Sequence, residues 1–240
     1  MKFACNSIMN TSELKAKYLN GEPFPHIVID DFLDENLARS IELEIDGFTG
    51  WAGEKRFYGS VKKRHCGDIS KLPPRSRDLI HALNGPSFLR FLEDITGIAH
   101  LIPDPYLEGG GFHSIGAGGF LKIHADFNWH AKLNLHRRLN VLLYLNSKWS
   151  EDWGGDLELW DQDMTRCVKK ITPVINRLVI FSTTDSSFHG HPDPLMCPSD
   201  VIRKSIALYY YTAGRPEEEV VRPRSTQTKY RARQGETFAR

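Results

Sequence analysis

The spacing of apolar and polar positions changes near residue 105, and the change divides the chain in two. Before it the spacing is mostly helical. It predicts a short helix over 12–18 and an entry strand in PFPHIVIDDFL, where His26, Val28 and Asp30 alternate with Ile27, Ile29 and Asp31. Asp34 is placed to cap a helix over 35–45, with Leu37, Ile41 and Ile45 at helical spacing and Gly47 as its stop. Residues 48–72 read as irregular, with Lys62, Lys63 and Arg64 as a solvated basic run. Two more helices follow over 75–83 and 87–95, the second closed by Gly97. After Tyr106 short β-rich runs succeed one another over 106–115, 120–127, 139–146, 156–160, 167–174, 178–182, 187–190 and 205–212. The turn signals GAGG, NSKWSEDWGG, DQDM, PVIN and TTDSS separate them. Strands at this density predict a sandwich or barrel, so the fold class is mainly β with supporting helices (α+β), the helices packed on one sheet.

Composition narrows the picture. The 240 residues are 40% hydrophobic and 25% charged, which suits one globular domain with a sizeable core and excludes a disordered or fibrous chain. Lys plus Arg at 31 against Asp plus Glu at 30 leaves a formal charge of +1, so there is no electrostatic footprint for nucleic acid or an acidic membrane. No apolar run approaches the roughly 20 residues that span a bilayer. The opening MKFACNSIMNTSELK has no apolar core of a secretion signal. Cys5, Cys66, Cys167 and Cys197 stand far apart with no CxxC, which argues against a zinc knuckle or a disulfide framework. The expectation is a soluble, cytoplasmic protein, with an exposed edge strand or the helical face available for a homodimer. From Gly214 the chain turns charged and proline-bearing, and reads as a mobile tail whose basic residues could touch a polyanion.

The sharpest chemical feature is His124-Ala125-Asp126. On a strand, residues two apart share a face and lie about 6–7 Å apart, so both side chains can close on one ion while Leu121, Ile123 and Ala125 face a core. A third ligand must come from elsewhere, and His189 in SSFHGHP is the best placed; His191 shares its strand face. Two imidazoles and one carboxylate on one side of an ion leave the opposite positions open, as in non-haem Fe(II) oxygenases. Other histidines (His26, His81, His100, His130 and His136) need no function. In RKSIALY, Arg203, Ser205 and Ala207 share one face and Ile206 and Leu208 the other. An arginine facing inward is costly unless a carboxylate meets it, and its planar fork suits bidentate capture of one. Asn140 and Tyr144 share a face in NVLLYLN, and the tyrosine hydroxyl could reach the same anion. A structural ion pair for Arg203 and core packing for Tyr144 are the alternatives.

In this order FLKIHAD, RRLNVLLYLN, WGGDLELWD, NRLVIFSTTDSSFHGH and RKSIALYYYT resemble the catalytic half of the prolyl 4-hydroxylase-like Fe(II)/2-oxoglutarate oxygenases, over residues 106–212. PFPHIVIDDFL resembles the family's entry strand. The resemblance implies a double-stranded β-helix (a jelly-roll or cupin-like core) over 106–213, helical support over 1–105, one domain to residue 215, and a charged tail over 216–240. It implies Fe(II) held by His124, Asp126 and His189, and 2-oxoglutarate anchored by Arg203 and Tyr144, with Ser205 adding a hydroxyl. Ascorbate is then a candidate stimulant and dioxygen the co-substrate. The implied reaction is hydroxylation of an unactivated C–H bond with release of succinate and CO2. Asp126 favours hydroxylation over halogenation, because the related halogenases replace that carboxylate with a small residue. Many prolyl hydroxylases carry lysine where Arg203 stands, and the stretch from His189 to Arg203 is longer than usual, so proline specificity does not carry over. The substrate expected is a small or carrier-borne molecule, with a protein prolyl residue as the alternative. Candidate substrate contacts are His113, Asn128, Trp129, Arg137, Arg138, Asn140 and Trp160. A zinc-dependent hydrolase and a non-catalytic jelly-roll binding module are the readings from other classes.

Overall fold

Residues 10–219 and 223–237 are described by the computed structural model; Cys5, Arg222 and Arg240 lie outside them. The helices form where the apolar spacing puts them. In α1 (Thr11–Leu19), capped by Asn10, Leu14 and Tyr18 are buried. A strand β1 (His26–Ile29) leads to α2 (Glu35–Asp46), whose Asp34 carboxylate accepts from the amides of Asn36 and Leu37 at 3.0 and 3.2 Å. That cap satisfies two otherwise orphaned donors, and Ala38, Ile41 and Ile45 then present one buried face. Helices α3 (Pro74–Leu83) and α4 (Pro86–Thr96) each carry proline in the first turn, and α4 ends at Gly97 in the left-handed region.

Between α2 and α3 the chain is not irregular. A hairpin of β2 (Glu54–Phe57) and β3 (Ser60–Cys66) fills that stretch. Only the two ends of β3 are buried, so it shows no alternation, and Lys62 sits at φ 55° where its register on β5 shifts. The remaining strands are β4 (Ile102–Pro103), β5 (Gly111–Ala125), β6 (Trp129–His130), β7 (Leu135–Tyr144), β8 (Leu157–Trp160), β9 (Cys167–Ile171), β10 (Arg177–Ser182), β11 (His189–His191), β12 (Ile202–Thr212) and β13 (Lys229–Tyr230). All their pairings are antiparallel, in the order β1-β10-β7-β12-β5-β11-β8-β9.

The helices cover one face of this sheet. Ile206, Leu208 and Tyr210 of β12 join Val141, Leu143 and Ile180 with Ile41, Leu79, Phe88 and Leu92 in one apolar cluster. Each such side chain contributes about 1.5–3 kcal/mol by leaving water. The other face of the same strands meets β8 and β9: Tyr144, Val179 and Phe181 pack with Leu157, Leu159 and Ile171. Two layers of antiparallel strand with helices outside one of them is the expected double-stranded β-helix.

Two further expectations are corrected. The GAGG segment is not a turn between two strands but a bend inside the single long β5. Gly118 takes φ 74°, its amide donates to Leu195 O at 2.7 Å, and Lys62 Nζ donates to Ala117 O at 2.6 Å. The first half of β5 therefore pairs with β12 and the second with β11. The tail is not a loose appendage either. Residues 223–237 lie back on β5, with Lys229 opposite Ala125 and Tyr230 opposite His124. The Ser225 carbonyl accepts from the amides of Asn128 and Trp129, Arg233 forks onto Asp193 at 3.0 and 2.6 Å, and Glu236 meets Lys122. The β5 edge offers unpaired backbone groups that this segment satisfies.

Candidate active site

The two sheet layers enclose a cavity of about 300 Å3, at the small end for ligand sites. His124 and Asp126 come from the end of β5 and His189 from β11, where His189 pairs with His124. One ligand atom from each of the three lies within 4.8 Å of the others. All three are buried. The His124 and His189 Nδ1 atoms lie 2.8 and 2.9 Å from the carbonyls of Lys122 and Ser187. A carbonyl only accepts, so Nδ1 carries the proton in each ring and the Nε2 lone pair is left to face Asp126. That donor chemistry, two neutral imidazoles and one carboxylate, fits Fe(II). Burial, with His124 alongside, brings His189 down to about 4.

Asp126 is held from behind. Arg137, 1% exposed, donates to its Oδ2 at 3.1 Å, and Asn140 Nδ2 donates to the same oxygen at 2.6 Å. Arg137 also donates to Asn140 Oδ1 at 2.6 Å and lies over the Tyr209 and Phe127 rings at 3.5 and 4.4 Å. Burial pushes the Asp126 carboxyl up, but Arg137 and the two histidines outweigh it and hold it well below the usual carboxylate range.

Arg203, Ser205 and Tyr144 line the same cavity. Arg203 Nη2 donates to the Tyr144 hydroxyl at 3.2 Å and Nε to Gly155 O at 2.7 Å. Gly155 takes φ 75°, and a Cβ there would meet Leu195 at 2.5 Å and Arg203 Cδ at 3.3 Å, so the WGG glycine makes room for the guanidinium. Among the described residues Arg203 makes no ion pair with a carboxylate, whereas Arg137 has its own in Asp126. A buried guanidinium with a phenol beside it, facing a cavity, suits an incoming carboxylate. Burial pushes the Tyr144 hydroxyl up, against the pull of Arg203.

The substrate candidates divide. His113, Arg137 and Asn140 line the cavity, but His113 Nε2 is engaged by Gly109 O at 2.9 Å and the other two grip Asp126. Asn128 and Trp160 lie outside it: Asn128 ties Asp185 and the amide of Ser225, and Trp160 packs with Ile123, Ala125 and Phe188. Arg138 is turned to Thr212 and Glu219, and Trp129 stacks under Arg224. Leu121, expected in the core, lines the cavity because the β5–β11 register shifts beside it. Sequence reasoning missed Thr226, Thr228 and Tyr230, which the tail brings to the cavity. The Tyr230 ring stands 5.4 Å from that of His124. Nothing in the alternation of the tail marks them.

Residues 110–211 match the sequence model of the 2OG-Fe(II) oxygenase superfamily. This segment belongs to that superfamily. Fe(II) and 2-oxoglutarate are its cofactors, and the protein is a dioxygenase; the two-histidine, one-carboxylate donor set of this oxygenase fits Fe(II), and the Arg203–Tyr144 pair suits the carboxylate of 2-oxoglutarate. No curated protein sequence matches the chain. Among solved structures, a prolyl-4-hydroxylase of Pseudomonas putida aligns with a TM-score of 0.58 at 18% identity over 82% of this chain and 98% of its own. A prolyl hydroxylase of Trichoplax adhaerens, in complex with a hypoxia inducible factor peptide, aligns with 0.59 at 18% over 84% and 90%. HygX of Streptomyces hygroscopicus, with nickel, 2-oxoglutarate and hygromycin B bound, aligns with 0.54 at 13% over 78% and 82%. At these identities the likeness is one of fold. A zinc hydrolase or a silent binding module would have no use for Arg203 and Tyr144 facing the metal-ligand set. Among the described residues no helix is long and apolar enough to cross a membrane.

Proposed function

We propose that this oxygenase hydroxylates an unactivated C–H bond of a small or carrier-borne molecule, with His124, Asp126 and His189 holding Fe(II). Arg203, Tyr144 and Ser205 hold 2-oxoglutarate. The observation that carries the reading is one cavity with a two-histidine, one-carboxylate set and a buried arginine–tyrosine pair opening into it. When bound, Fe(II) supplies the oxidative decarboxylation of 2-oxoglutarate by dioxygen, giving succinate and CO2 and leaving one oxygen atom for the substrate C–H bond. The chain's part is orientation and exclusion of water. Arg203 and Tyr144 receive the far carboxylate of 2-oxoglutarate and so set which way the 2-oxoacid end points. The Lys122 and Ser187 carbonyls hold the two imidazoles in the tautomer a metal needs. Arg137 and Asn140 occupy Asp126 Oδ2 and so keep the carboxylate turned the same way.

The cavity volume and the tail laid along β5 favour a small molecule, as does the hygromycin B bound to HygX. A protein prolyl residue is the second reading, favoured by the peptide-bound hydroxylase. The test needs no substrate. Anaerobic Fe(II) protein titrated with 2-oxoglutarate should develop the weak visible charge-transfer band of a chelated 2-oxoacid. Arg203→Ala should demand roughly ten- to a hundredfold more 2-oxoglutarate, the worth of a charge-assisted pair. Bound iron without a band in the wild type would overturn the reading.

A further inference from the structure

His191 stands two residues after His189 and is 3% exposed. Neither of its ring nitrogens finds a hydrogen-bond partner among the described residues. Buried polar groups are almost always satisfied, so a nitrogen pair left open inside a cavity marks a place for a polar guest. The backbone beside it is specialised for a close approach. His189 pairs with His124 but His191 with Leu121, one residue further than a regular ladder allows. At the shift stands Gly190, where a Cβ would lie 2.7 Å from Leu121 O and 2.9 Å from Lys122 O, so only glycine permits the close approach. His191 follows His189 by two residues on the same strand face, and its imidazole lines the cavity together with Arg203, Ser205 and Tyr144. It is not a fourth metal ligand, because the atoms that converge within 4.8 Å are those of His124, Asp126 and His189 alone among the described residues.

Resting on the cofactor reading above, we propose that His191 is a further 2-oxoglutarate-binding residue, donating a ring N–H to an oxygen of the bound 2-oxoacid. Arg203 and Tyr144 hold the molecule at its far carboxylate, and His191 grips it from the β11 side between that anchor and the metal ligands. A bulged, glycine-dependent strand end is then a binding device and not an irregularity.

The 240-residue chain loaded anaerobically with Fe(II) tests this by 2-oxoglutarate titration of the visible band. His191→Leu should raise the dissociation constant roughly ten- to a hundredfold, the worth of a hydrogen bond to a charged acceptor. His191→Asn, which keeps a donor, should recover most of the loss, and metal affinity should be the same in all three proteins. A dissociation constant within twofold of wild type in His191→Leu would overturn the proposal, and so would a parallel fall in metal affinity. Should His191→Leu fail to fold, the wild type answers alone. With diamagnetic Zn(II) in the site, 2-oxoglutarate should shift the His191 ring 15N resonances and slow exchange of its N–H; unmoved resonances overturn it. Absence of the band in wild type is a separate result, against the cofactor reading itself.

Discussion

Replacing Arg137 by Met should separate the apo and metal-bound stabilities of the protein. Arg137 and Asp126 form a buried pair, 1% and 7% exposed, at 3.1 Å. Removing one partner of such a pair leaves an uncompensated charge and costs about 3–5 kcal/mol. Methionine keeps much of the volume between the Tyr209 and Phe127 rings, and Asn140 still donates to Asp126 Oδ2, so the lower half of that range applies. For a chain of this size 1 kcal/mol moves Tm by about 2–4 °C, so the metal-free variant should melt roughly 6–16 °C below wild type. A divalent cation restores a countercharge to Asp126, and without the guanidinium nothing opposes its approach. The gain in Tm on adding Ni(II), a redox-inert stand-in for iron, should therefore be larger in Arg137→Met than in wild type. Thermal unfolding followed by circular dichroism, with and without saturating Ni(II), gives all four numbers. A metal-free loss under about 3 °C, or equal metal increments in the two proteins, would refute the argument that Arg137 is the countercharge of Asp126.

Other expectations concern the tail and the metal-free site. A Cβ on Gly59 would sit 2.5 Å from the Tyr230 ring, so Gly59→Ala should lift that ring and loosen the segment pinned by Arg233 and Glu236. Trypsin should then cut at Arg231 and Arg233 several-fold faster while the rest of the domain resists; an unchanged rate would show that Tyr230 does not hold the tail down. In metal-free protein His189 titrates at about 4 when folded against 6.5 when free, because burial disfavours its cation. The unfolded chain therefore binds the extra proton first: stability is fully present above pH 6.5 and falls as pH drops towards 4, by roughly 3 kcal/mol. Denaturant titrations at stepped pH should show that slope in wild type and a shallower one in His189→Gln; equal slopes would assign the acid sensitivity elsewhere.

Much of this protein is legible from residue order. Helices α1 to α4 are set by local chemistry: the Asp34 cap, the prolines of α3 and α4, Gly97, and apolar residues at helical spacing. Strand alternation is local too, which is why Arg203 and Ser205 face one way and Ile206 and Leu208 the other, and why His124 and Asp126 fall together. What alternation cannot supply is any feature that depends on a register shift. The β7–β12 ladder slips between Tyr210 and Tyr211, and that slip lets Arg137, odd by parity, meet Asn140 and Asp126. The slip in β5–β11 turns Leu121 into the cavity in the same way. Glycines that read as a turn in GAGG serve as a bend because Leu195 and Lys62 clamp them. The tail takes its place because the edge of β5 has unpaired backbone groups, an attraction written into no side-chain pattern. A one-residue shift of register inverts every side chain beyond it, so the ligands of a site can be read from sequence while its walls wait for the ladder to be assembled.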